Sequence, residues 1–204
     1  MQEESRARGI VDAQTIFAST AQANARPPLY LWRGDITTLK IGAIVNAANS
    51  GLTGCYQPCH SCIDNAIHSA SGIQLRAECA AIMQQQGYAE PAGKAKITRA
   101  YNLPCDFVIH TVGPIVRGKL TERDCVQLAN CYKSCLELAQ ENGVGSIAFC
   151  CISTGVFCFP AEKAAEIAVR TVREWLSETK SEMKVVFNVF SENDEAIYRR
   201  ILYD

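Results

Sequence analysis

Ala43-Ile44-Val45-Asn46-Ala47-Ala48-Asn49-Ser50-Gly51 decides how this chain is read. Residues 43–48 are apolar apart from Asn46, a pattern that suits a strand buried on both faces. The Asn-Ser-Gly that follows ends the run as a turn. The same punctuation recurs outward in both directions. Upstream, Leu29–Trp32 reads as a short strand stopped by Gly34. Downstream, Ile63, Ala66, Ile67, Ala70, Ile73, Leu75, Cys79 and Ile82 suggest helix from about residue 62 to 86, broken at Gly72. Lys96–Asn102 alternates like a strand, and Phe107–Val112 reads as a buried one. Glu122–Gln140 has helical spacing closed by Asn142-Gly143. Ile147–Ile152 follows as a strand, Ala161–Leu176 as a helix opened by Pro160, Lys184–Phe190 as a last strand and Asn193–Leu202 as a short helix. Strands alternating with helices predict a three-layer α/β domain with a mostly parallel sheet. Ligands of such sheets bind where loops leave the carboxyl ends of strands, so those loops carry the functional search.

Length and charge narrow the partners. The 204 residues suffice for one domain, and 20 Lys+Arg against 21 Asp+Glu leave a formal charge of −1. That balance argues against nucleic acid as the main partner. No run approaches the ~18 apolar residues of a bilayer span, and Met1–Ile10 is too polar for a signal peptide. The expectation is a soluble, cytoplasmic chain. Residues 1–28, ending in Arg26-Pro27-Pro28, read as a leader with one short helix. Of the 11 cysteines, Cys79, Cys105, Cys125, Cys131, Cys135, Cys150 and Cys151 read as small packing residues.

Three loops after strands hold chemistry. Arg33-Gly34-Asp35-Ile36-Thr37 places a carboxylate where it can accept from an exocyclic amine or cap a helix. Asn46 to Gly51 offers amides to sugar hydroxyls, with small residues that admit a ligand close to the backbone. Ser153-Thr154-Gly155-Val156-Phe157 can turn backbone N–H groups towards a diphosphate at the start of the next helix, with Phe157 covering a ring. The chain has neither a P-loop nor a dinucleotide fingerprint.

Between the second loop and its helix, Cys55, Cys59 and Cys62 crowd around His60. Three thiols and an imidazole suit zinc, although the spacing is not that of a closed four-ligand ribbon. Cys59 and His60 are awkward together on one ion. A set of Cys55, His60 and Cys62 leaves a fourth position open, as at catalytic zinc; a chance cluster of thiols is the alternative. Asp64, two residues on, can serve as a general base or orient a ligand. His68 and His110 read as packing histidines.

Together, Arg33–Thr37, Ile44–Ser50, His110-Thr111-Val112-Gly113-Pro114 and Ser153–Phe157 resemble the macrodomain, an ADP-ribose-binding fold, over about residues 29–203. Gly54–Cys62, where many members have a glycine-rich stretch, resembles the zinc-containing microbial subfamily. The resemblance implies a three-layer α/β/α sandwich on a six-stranded mixed sheet, with residues 1–28 a leader or remnant of a helical extension and 29–204 the macrodomain. It implies Asp35 and Ile36 at adenine, Ser153, Thr154, Gly155, Val156 and Phe157 at the diphosphate, Asn49 at the distal ribose, and Zn2+ on Cys55, His60 and Cys62. Asn49 and Asp64 are then the catalytic candidates. The implied activity is zinc-dependent release of mono-ADP-ribose from modified proteins, of the ADP-ribosylglycohydrolase type, with a sirtuin-type ADP-ribosyltransferase as a partner. A non-catalytic ADP-ribose reader with structural zinc, and an O-acetyl-ADP-ribose deacetylase, are the competing readings. Cys158, where many members have glycine, departs from the pattern.

Overall fold

Strands with near-continuous apolar runs fill the middle of the sheet. The computed structural model describes residues 9–19, 29–57 and 60–203. Its main strands are β2 (Leu29–Arg33), β4 (Ala43–Ala48), β5 (Ala95–Arg99), β6 (Phe107–Val112), β7 (Ser146–Phe149) and β8 (Lys184–Val189), in the order β2-β8-β7-β4-β6-β5. All neighbours are parallel except β5 and β6. The four central strands are buried almost throughout, while β2 and β5 at the edges are half-buried. This is the expected six-stranded mixed, mostly parallel sheet.

A two-stranded parallel pair, β1 (Val11–Asp12) with β3 (Leu39–Lys40), stands beside it. Helix α1 (Ala13–Ser19) follows β1 and puts Ala13, Ile16 and Phe17 into the common core; Phe17 packs on Tyr30 with ring centroids 4.7 Å apart. Helix α2 (Ile63–Ser71) lies against β4 with α3 (Ile73–Gln86) beside it. Helices α4 (Glu122–Glu141), α5 (Ala161–Thr179) and α6 (Glu192–Tyr203) pack side by side. The helix from 62 to 86 is broken at Gly72, whose φ of +93° suits glycine best. Thr121 and Asp124 open α4 as a reciprocal capping box.

Two strands end earlier than the sequence pattern predicts, β5 before Asn102 and β7 before Ile152. β5 stops at Arg99 because the chain turns back at Tyr101, whose φ is +56°. β7 stops at Phe149 because its partner leaves it. β4 pairs with β7 only at Ala43–Ile147 and Ile44–Ala148, and then the strands splay. The crevice that opens there is the candidate functional site. No helix among the described residues is long and apolar enough to cross a membrane.

Candidate functional site

A cavity of about 630 Å³ lies across the carboxyl ends of the splayed strands. Its size is in the range of small-molecule sites. Gly34, Asp35 and Ile36 line one end, with the exposed Phe190 nearby; Ser153–Phe157 run along a second wall; His60, Ser61, Cys62 and the α2 residues Ile63, Ala66 and Ser69 form a third. The loops after β2, β4 and β7 therefore meet as expected. Ala47 of the second loop lines it, and so do Cys150, Cys151, Asn188 and Phe190, which the sequence reading does not single out as site residues. Each sits at or just past a strand end, which is the signal that could have found them.

Asp35 caps the turn of residues 36–38: its Oδ1 accepts from Thr37 N at 2.9 Å and from Thr37 Oγ1 at 2.7 Å. The capping reading holds, and Oδ2 has no protein partner among the described residues, so one carboxylate serves the turn and the cavity. Along the second wall, Phe159 N donates to Ser153 O and Cys158 N to Gly155 O. The backbone N–H groups of residues 154–157 are left without a partner among the described residues, as an anion cradle requires. Ser153 has φ +67°, and its buried Oγ has no protein partner. Any side chain at Gly113 would run into that Oγ, so the glycine clears the space.

The catalytic candidates stand on the other side of α2. Positions 63, 66 and 69 face the cavity, whereas Asp64, Ile67, His68 and Ser71 are turned into the core at helical spacing. Asp64 is 4% exposed. Asn46 Nδ2 donates to its Oδ1 at 2.8 Å and Asn49 Nδ2 to its Oδ2 at 3.2 Å. Asn49 also donates to Gly54 O and accepts from Gly51 N, so its amide is committed to the loop and to Asp64, and neither residue lines the cavity. Burial raises the Asp64 pKa, opposed by the Asn46 hydrogen bond and the Arg76 charge. His68 lies one turn on, with Nε2 3.5 Å from Asp64 Oδ1; burial holds it at about 4, hence neutral. Asn46 and His68 were not read as partners of Asp64, although the i,i+4 spacing of Asp64 and His68 was visible.

Cys55, His60 and Cys62 come together: their ligand atoms lie within 4.8 Å of one another, with Cys55 Sγ 3.3 Å from His60 Nδ1. All three are half-buried. Cys62 caps α2, its Sγ accepting from Asn65 N at 3.4 Å, and desolvation raises its pKa in the metal-free chain. Two thiols and one imidazole converging at a half-open surface fit zinc. Cys59 lies outside the described residues. A second trio, His68, Cys79 and His110, is as tightly gathered but fully buried. There His110 is committed at both nitrogens: Nδ1 to Asn46 Nδ2 at 3.1 Å, and Nε2 to Thr98 Oγ1 at 3.0 Å. Of the two imidazoles only His68 is without a hydrogen-bond partner among the described residues, and it is buried in the core away from the cavity.

The Macro domain family model matches residues 45–168. The chain belongs to that family. It is 63% identical to a protein-ADP-ribose hydrolase of Treponema medium over 99% of this chain and 77% of that protein. It is 57% identical to a protein-ADP-ribose hydrolase of Staphylococcus aureus (strain MSSA476) over 84% of this chain, and the match covers 65% of that longer protein. A Trypanosoma brucei macrodomain solved in complex with ADP-ribose superposes with a TM-score of 0.78 at 33% identity, covering 95% of this chain and 76% of that one. The macrodomain fold expected from the sequence is therefore established.

Proposed function

We propose that this macrodomain binds ADP-ribose across the strand ends and hydrolyses its bond to protein side chains with the help of zinc. The observation that carries the reading is Asp64: a buried carboxylate fastened by two asparagines, two residues from a convergent Cys-His-Cys set, beside a cavity of nucleotide size. The names of the relatives from Treponema and Staphylococcus support hydrolysis, and the ADP-ribose complex of the Trypanosoma macrodomain supports the ligand.

In this reading Asp35 Oδ2 accepts from the adenine amine, and the free N–H groups of residues 154–157 take the diphosphate. Val156 and Phe157 cover the ribose between them. Zinc held by Cys55, His60 and Cys62 would supply Lewis acidity next to the distal ribose. Asp64 is the proton acceptor. A carboxylate has about four acceptor sites, and the two asparagines fill one on each oxygen. Burial raises its pKa, against the Asn46 hydrogen bond and the Arg76 charge. Asn49 fixes Asp64 and the start of the metal loop as one unit, and so acts on the distal ribose through them. The resemblance further assigns the modification to a sirtuin-type ADP-ribosyltransferase.

The test is release of ADP-ribose from a mono-ADP-ribosylated protein by the wild-type chain, by chain stripped with a chelator, and by stripped chain given zinc back. Release that stops on stripping and returns with zinc is expected. Tight ADP-ribose binding without release in any sample would make the chain a reader instead.

A further inference from the structure

The Cys-His-Cys set is gathered from two ends of an irregular loop, and the two ends are held differently. His60 and Cys62 are fixed by the first turn of α2: Asn65 Nδ2 donates to His60 O at 2.9 Å, and Asn65 N donates to Cys62 Sγ. Cys55 has no such helix behind it. It stands between Gly54, whose carbonyl accepts from Asn49, and Tyr56. Tyr56 is 70% exposed, yet its ring lies under the Arg76 guanidinium of α3, with Cζ 4.6 Å from the ring centroid. Thr53 and Arg76 beside it hold its phenol below the ordinary tyrosine range. Arg76 makes no ion pair within 4 Å among the described residues, so its direct contact is with the loop, while its charge also reaches Asp64. Gly54 makes room for this: it has φ +89°, and a Cβ there would stand 2.9 Å from His68 Cγ and 3.1 Å from Arg76 Nη2.

We propose that Arg76, stacked on Tyr56, is a positioning residue for the metal loop, holding Cys55 in register with His60 and Cys62. A guanidinium over a phenol face is a directional contact that survives at an exposed site, where an ordinary ion pair is screened. The pair thus anchors on a rigid helix the one ligand that α2 cannot reach. This inference rests on the proposal that Cys55, His60 and Cys62 bind zinc.

The experiment follows metal and not turnover. Wild type, Tyr56→Phe, Tyr56→Ala, Arg76→Ala and the double variant Tyr56→Ala/Arg76→Ala are loaded with Zn2+, and transfer to a colorimetric chelator is timed. The same proteins are loaded with Co2+ for their visible spectra, in which thiolate-to-metal absorption reports whether both cysteines are bound. Tyr56→Ala and Arg76→Ala should each release zinc about tenfold faster and lose part of the thiolate absorption, the scale of effect seen when groups supporting a metal ligand are removed. Tyr56→Phe keeps the ring and should stay close to wild type. The double variant should be no faster than the faster single, because both remove one contact. Melting temperatures of the metal-free proteins should be unchanged. Release rates of Tyr56→Ala and Arg76→Ala equal to wild type would overturn the positioning role, as would metal-free melting temperatures that fall in step with release. A wild-type chain that takes up neither metal would overturn the zinc reading itself, and this inference with it.

Discussion

The chain gathers cysteine and histidine twice, and the two groups differ in everything but their atoms. Cys55, His60 and Cys62 sit half-buried in a loop without regular structure, beside the cavity. His68, Cys79 and His110 sit in the core between α2, α3 and the sheet, all three buried. In the first group the contacts run among the ligands themselves and to backbone, and the surface is open to a metal and to water. In the second, His110 is spent on Asn46 and Thr98, Cys79 is pushed up to about 12 by burial, and His68 is held neutral at about 4. Proximity of ligand atoms therefore does not make a metal site. Access for the ion and for water is what separates the two groups.

The largest effects should come from the first group. Cys62→Ala or His60→Ala should abolish zinc uptake and lower ADP-ribose release by about 100-fold or more, read by metal content and by a single-turnover release assay. Unchanged release would remove zinc from the mechanism. Next comes Asp64→Asn, which keeps the shape and the metal but removes the proton acceptor; kcat should drop by about 10²–10³-fold at unchanged zinc stoichiometry. Retention of the wild-type rate would take Asp64 out of the reaction.

The joint between the two groups is Asn46, on β4 opposite His110 in register, with one amide nitrogen touching both Asp64 and His110. Asn46→Ala should cost about 1–3 kcal/mol in urea unfolding, because it leaves two buried polar groups without a donor. A loss within experimental error would mean water replaces the amide and the joint is dispensable.

Acid should act on the buried group. His68 and His110 are held at about 4 and about 3 against an ordinary 6.5, so between pH 6.5 and about 4 the unfolded chain binds more protons than the folded one. Their contribution to stability is complete above pH 6.5 and is lost as pH falls through that window. Asp64 pulls the other way, since its raised value lets the folded state take its proton first. The melting temperature should fall steadily from pH 7 to 4, and His68→Gln should remove about one proton from the slope. A slope unaltered by that substitution would place the acid sensitivity elsewhere. Least affected should be Cys79→Ala, which trims a buried thiol and should leave zinc stoichiometry at the wild-type level.

Much of this was legible in the residues. Apolar runs and their Gly, Asn and Pro stops located the central strands and the helices, and the rule that ligands sit after strands pointed to Asp35, Asn49 and residues 153–157. The resemblance implied only that the six-stranded sheet is mixed; the order of the strands and the antiparallel edge β5 came from the structure. Cys150 and Cys151 were read as strand because the run Ser146–Ile152 stays apolar; what ends β7 is the splay from β4, a property of two strands that neither one's pattern encodes. The division of α2 into a cavity face and a core face was implicit in its periodicity, yet its consequence, that Asp64 stands behind the cavity wall, needed the position of β4. Arg76 and Tyr56, twenty residues apart on a helix and an irregular loop, share no pattern at all.

The most direct measurement of the central claim pairs Cys62→Ala with Cys79→Ala and reads zinc content and ADP-ribose release on the same samples. The account predicts that Cys79→Ala keeps both and Cys62→Ala loses both. Zinc and release that persist in Cys62→Ala and vanish in Cys79→Ala would contradict it, and would move the metal from the loop to the core.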